Sequence, residues 1–184
     1  MAAAFNHPGA LFRRFAGDQR AVSAVEFACL LPFMLTLYIG GVEIGDGLEI
    51  KFKSTLAART VTDLASQYTS IDNATMSSIL GASSAVITPY SAAGMVVTLS
   101  EITTNAQGAG TITWSDSLNG TARTVGSSIT LPTNMQTPNI TILYGEVTYP
   151  YTPQIGYVLS GTINIYQSVF FFPRMSTSIT RINS

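Results

Sequence analysis

The sequence predicts an α+β protein in which a long N-terminal helix, apolar enough at its start to cross a membrane, leads into an antiparallel β-sheet. Three observations carry this. Residues 27–45, FACLLPFMLTLYIGGVEIG, form an apolar run. Beyond it, apolar residues recur at helical spacing to about Gln67. From Met95 onward Thr, Ser, Val, Ile and Tyr dominate, in short alternating stretches separated by turn residues, which is the pattern of strands. The composition agrees, with 46% hydrophobic and 10% charged residues, where about 25% charged is usual for a soluble domain.

In chain order, residues 1–21 form a leader in which His7-Pro8-Gly9 breaks any early helix and Arg13, Arg14 and Arg20 face a single Asp18. Positive charge just before an apolar span holds that end in the cytoplasm, so the C-terminal part is expected on the far side. Residues 22–47 are the expected membrane helix. At about 1.5 Å per residue, the run 27–45 covers about 28 Å, close to the hydrocarbon core of a bilayer. A carboxylate inside such a span costs about 2.5 to 3.5 kcal/mol on the insertion scale. Glu43, near the exit, is expected to reach the interface; Glu26, at the start, either snorkels or is protonated at the edge, or it has a cationic partner. Pro32 removes an N–H and is expected to kink the helix near Ala28. A secretory signal peptide fits less well, since its apolar region is about 7–15 residues and ends in an Ala-x-Ala-like site. No such site follows this run. Arg13-Arg14 alone is weak evidence for a twin-arginine address, and a transit peptide is a similar minor alternative.

Residues 48–93 read as a helical stem and a second short helix. Leu48, Phe52 and Leu56, then Ala57, Val61, Leu64 or Ala65, and Tyr68, define an amphipathic face expected to pack on the chain's own distal domain. Asp72 is the expected N-cap of the short helix, and Gly81 its end. Residues 94–184 form the β domain, with strands expected near 95–103, 111–115, 128–131, 140–149, 157–166 and 176–182, and turns at Gln107-Gly108 and Asn119-Gly120.

The rarest residues limit the chemistry. His7 and Cys29 are the sole histidine and cysteine, so one copy holds no Cys/His metal site, no Ser-His-Asp or Cys-His arrangement in the distal domain, and no intrachain disulfide. Cys29 is expected to pack as a small hydrophobe and His7 to be an ordinary polar residue of the leader. A net charge of −1 leaves no footprint for nucleic acid. An enzyme would have to draw on Glu101, Asp116 and Glu146, which show no paired spacing, and no acidic cluster suggests calcium. No cofactor is expected. Three sequons, at Asn73, Asn119 and Asn139, matter only in a secretory-pathway host.

Residues 20–32, RAVSAVEFACLLP, resemble the start of the TadE/TadG-like pseudopilins of bacterial Tad (tight-adherence, Flp) pilus systems. In that family a basic leader ends in a small residue, usually Gly, before a run such as AAAVEFALVLP. Ala21 stands in the place of the Gly, while Val25-Glu26-Phe27-Ala28 and Leu31-Pro32 match. A second likeness lies at Val147, Tyr149, Tyr151 and Pro153, where the family carries Val-x-Tyr-x-Tyr/Phe-x-Pro, and Ala57-Ala58-Arg59 resembles the tail of its helix. The resemblance implies a pilin-like architecture and cleavage by a prepilin peptidase between Ala21 and Val22, leaving Glu26 fifth and Phe27 sixth. It also implies that Glu26 meets the freed amine of a neighbouring subunit. The implied protein is a non-enzymatic minor pilin or pseudopilin precursor of the inner membrane. Its partners are the peptidase, other pilins or copies of itself, and the Tad assembly machinery. The rival expectation is an uncleaved, membrane-anchored periplasmic binding or adhesin domain.

Overall fold

A computed structural model describes residues 19–156 and 160–182, with side chains from Val22 onward. The leader's first eighteen residues, His7 among them, lie outside that range. Helix α1, Gln19–Ser66, is continuous through Pro32. Its 48 residues give a rod of about 72 Å at 1.5 Å per residue. Strand β1, Ser70–Ile71, follows, then helix α2, Asn73–Val86. Asp72 caps α2 as expected, its carboxylate accepting from the Thr75 N–H at 2.7 Å. That bond holds the Asp72 carboxyl below its ordinary pKa.

Gly81 does not end α2. It is exposed, with open space around its Cα, while Met76, Ile79, Leu80, Ser83 and the following Ile87 keep one face buried to the end of the helix. Burial of that face outweighs the roughly 1 kcal/mol that a glycine costs inside a helix.

The main sheet has the order β4-β3-β2-β5-β6, antiparallel throughout. Its strands are β2, Val96–Thr104; β3, Gly110–Leu118; β4, Ser128–Ile129; β5, Thr141–Tyr151; and β6, Ile163–Phe171. The expected strand over 157–166 is displaced: 157–159 fall outside the described residues, and the ladder runs from Ile163 to Phe171 because β6 pairs residue for residue with Leu143 to Tyr151. The last expected strand shrinks to β7, Thr180–Arg181, which leaves the main sheet and pairs in parallel with β1. Gln107-Gly108 makes the expected turn: Gly108 has φ 77°, and Asn105 Oδ1 accepts from the N–H groups of Gln107 and Ala109. Asn119 likewise turns with φ 57° and donates to the Met95 carbonyl.

Both helices cover one face of the sheet. Ile50, Ala57, Ala58, Val61 and Ala65 of α1 meet Leu99, Leu143, Val147, Tyr149 and Tyr151 in the main core. A smaller core of Ile102, Ile112, Leu131, Ile142 and Tyr144 lies apart from it, with Ile129, Met135 and Phe170 packed alongside.

The face that α1 buries corrects the sequence reading. Of the expected inward face, Ala57, Val61 and Ala65 are buried, but Leu48, Phe52, Leu56 and Tyr68 are exposed, Phe52 at 71%. The inward stripe is Ile50, Ser54, Ala57, Ala58, Val61, Thr62 and Ala65, five of them small or polar and all buried. The reason is the closeness of the crossing. At Gly145 on β5 an added Cβ would collide with Thr62 Oγ1 and stand 3.1 Å from the Ala58 carbonyl oxygen. Helix backbone lies almost on strand backbone there, so small residues must face inward and the large ones are left outside.

Candidate functional site

The element that stands out is the N-terminal third of α1. Residues 22–38 are exposed on every side, including Val25, Phe27, Leu30, Phe33, Met34, Leu37 and Tyr38. A helix bare of protein and apolar all round is what a lipid environment requires, since each backbone polar group is bonded within the helix. One helix near the N-terminus is thus long and apolar enough to cross a membrane. The β domain begins to cover it only at Gly40 and Glu43, so 22–38 is the uncovered length among residues with described side chains, about 26 Å at the helical rise.

The residues singled out in the sequence take these places. The Ala21–Val22 bond lies inside the helix, close to its first described residue. Val22, Glu26 and Phe27 are all exposed, with Glu26 four residues beyond Val22 and so on the same side of the helix. Cys29 is exposed on the bare segment rather than packed in a core. Pro32 leaves the Ala28 carbonyl without its usual donor, and Thr36 Oγ1 donates to the Pro32 carbonyl at 2.8 Å. Glu43 departs from expectation: it is 2% exposed, covered by the domain instead of reaching outward. The Tyr151 hydroxyl donates to its backbone carbonyl at 2.8 Å.

The bare surface does not stop where the domain begins. Ile44, Leu48, Phe52 and Leu56 continue it as an exposed apolar stripe for about three more turns on the side away from the sheet. No protein-family model, curated protein or solved structure matches the chain.

The three acids weighed for catalysis are each built into the fold. Glu101 is 1% exposed and accepts the Ile179 N–H at 2.7 Å, beside Trp114, whose indole donates to the Ile179 carbonyl. Burial pushes its carboxyl above the ordinary value, and the Ile179 N–H and Trp114 only partly offset this. Asp116 receives a fork from Arg181, through Nε at 2.8 Å and a terminal nitrogen at 3.1 Å. Glu146 receives one from Arg123, at 2.6 and 2.7 Å, and accepts the Tyr166 hydroxyl at 2.6 Å. Burial raises the Glu146 carboxyl, but the Arg123 and Tyr166 bonds outweigh that and hold it below its ordinary value. Arg123 also lies 5.4 Å above the Tyr144 ring, which stacks on Phe170.

This Arg123 cluster went unnoticed in the sequence. Its partners come from the 119–127 loop and from β5 and β6, and no local spacing joins them. Among the described residues no group of three His, Cys, Asp or Glu side chains is placed to hold a metal.

Proposed function

We propose that the chain is a minor pilin or pseudopilin precursor of the TadE-like kind. In this reading it sits in the bacterial inner membrane with its N-terminus cytoplasmic, is trimmed by a prepilin peptidase between Ala21 and Val22, and serves in assembling a Tad-type pilus used in surface adhesion. The observation that carries it is the stripe of Ile44, Leu48, Phe52 and Leu56, exposed on α1 beyond the segment that lipid would cover. A domain that merely hangs from an anchor gains nothing from apolar residues facing water at that level, and a helix that lies against other helices does. The stripe and the bare span form one continuous surface, so the same helix can pass from lipid contact to subunit contact.

Glu26 has a place in this scheme. Once the chain starts at Val22, its α-amino group and the Glu26 carboxylate are one turn apart on an exposed side of the helix. An acid at the membrane edge is offset best by a fixed positive partner. An amine supplied by an adjacent copy would set the register between helices. The uncleaved binding or adhesin domain remains the second reading. It is favoured by nothing on α1, and the Thr- and Tyr-lined face around Glu146 is its only specific support.

Mass spectrometry of the protein recovered from envelopes tests the proposal. A mature chain beginning at Val22 is expected; one that still begins at Met1 would favour the anchored-domain reading.

A further inference from the structure

We infer that the end of the β5–β6 hairpin, residues 153–156 and 160–162, rests in the headgroup layer of the bilayer that α1 crosses, giving the domain a second membrane contact. The inference rests on the reading of α1 as a membrane span.

The level of the hairpin along the helix follows from its contacts. Gly145 of β5 lies against Ala58 and Thr62, and Tyr151 lies against Gly47 and the Glu43 carbonyl. Six strand residues at about 3.3 Å each cover about 20 Å, and the fifteen or so helical residues between those contacts cover about 22 Å. Strand β5 therefore runs down α1 towards the bare segment. The hairpin stays closed past the last ladder pair, with Thr152 Oγ1 and Thr162 Oγ1 3.0 Å apart. Residues 153–156 continue β5 past Thr152 and are thus directed from the level of Gly47 and Glu43 towards Gly40, where the domain's cover on α1 ends. Measured from that end, the uncovered helix has the length of a hydrocarbon core.

The chemistry of the hairpin fits that depth. Residues 147–173 include no Asp, Glu, Lys, Arg or His, so no charge has to be withdrawn from water. Ile155, beyond the last ladder pair, is 58% exposed, and Ile163, which pairs with Tyr151, is 41% exposed. Tyr38 on the helix is also exposed, and Tyr149 and Tyr151 line a groove with Asp46 and Tyr90 just above. Burial, with help from Glu49, pushes the Tyr90 phenol up to about 12, so it stays neutral there.

Nitroxide labels on the full chain in phosphatidylethanolamine and phosphatidylglycerol vesicles test this, in a Cys29→Ser background. Labels are placed by Ile155→Cys, by Met34→Cys in the span, and by Val125→Cys, which lies with Thr103 and Thr113 by the opposite end of the sheet. Expected is oxygen-dominated relaxation at 34, nickel-chelate-dominated relaxation at 125, and a shift towards oxygen at 155. Adding Ile155→Asp to a label carried by Ser160→Cys is expected to abolish that label's lipid exposure. If 155 relaxes like 125 while 34 still reports lipid, the hairpin contact is overturned and the span stands. If 34 itself is open to the nickel chelate, the span and the contact fall together.

Discussion

Gly145 is the residue on which the packing of α1 turns. Any side chain there enters space held by Thr62 and by the Ala58 backbone. Neither can move without shifting the helix. Gly145→Val is therefore expected to destabilise the fold by about 1–3 kcal/mol, the usual cost of overpacking, or more because backbone is in the way. Denaturant unfolding of the detergent-solubilised chain would measure it. Glu101 presents a different balance. Its folded pKa is raised, so the native state holds a proton that the unfolded chain has already lost, and stability falls as pH climbs from the ordinary carboxylate value through the folded one. Glu101→Gln keeps an acceptor for the Ile179 N–H and removes the charge, and should flatten that decline in melting temperature. Glu101→Ala leaves the N–H unpaired and should cost about 1–3 kcal/mol at all pH values. Glu146 works in the opposite sense: its lowered pKa adds stability above the ordinary value, which is lost as pH falls through the folded one. Arg123→Ala should reduce that contribution. Because Arg123 is 39% exposed, the effect should be about 1–2 kcal/mol rather than the 3–5 of a fully buried pair.

At the scale of elements, α1 carries two different surfaces along one rod. Its small-residue face is committed to β5 and β6, and its large-residue stripe is free of the domain. Replacing Phe52, which lies outside every core cluster, by Ser should leave the unfolding free energy within about 0.5 kcal/mol of the parent, as for surface positions generally. The same change should reduce fibre formation counted by electron microscopy, because it interrupts the stripe. Unaltered fibres would show that the stripe is not a subunit contact. The C-terminal strap is the second element with a structural task. The Arg174 N–H donates to the Ser66 carbonyl, and its guanidinium reaches Asp63 at 2.5 Å. With Trp114 and Glu101 gripping Ile179 and with β7 beside β1, the strap binds the end of α1 to the sheet.

On the scale of the whole molecule, the bare apolar start of α1 and the folded domain are nearly independent. The most apolar window of α1 is not buried in protein at all, and no residue before Ile50 belongs to the main core. A chain starting at Gly40 is therefore expected to remain in solution after membranes are removed and to keep the β-sheet circular dichroism of the parent. Aggregation of that chain under native conditions would mean that the helix start supports the domain. Much of this architecture was legible in the amino acids alone. An apolar run matched to bilayer thickness, the Asp72 cap and the alternation of β-branched residues each act through near neighbours, so the α+β class and most strand positions follow from local rules. Which side of α1 faces the sheet was legible only in its last turns, where Ala57, Val61 and Ala65 are buried as expected. Hydrophobicity pointed to Leu48, Phe52 and Leu56, but a glycine almost ninety residues further along the chain opens the one place where backbone can meet backbone, and only small residues fit there. The same holds for Glu101, Glu146 and Asp116, whose partners Ile179, Arg123 and Arg181 are distant in sequence. Composition and spacing determined the elements; steric fit between segments far apart in the chain decided which faces met and which were left exposed.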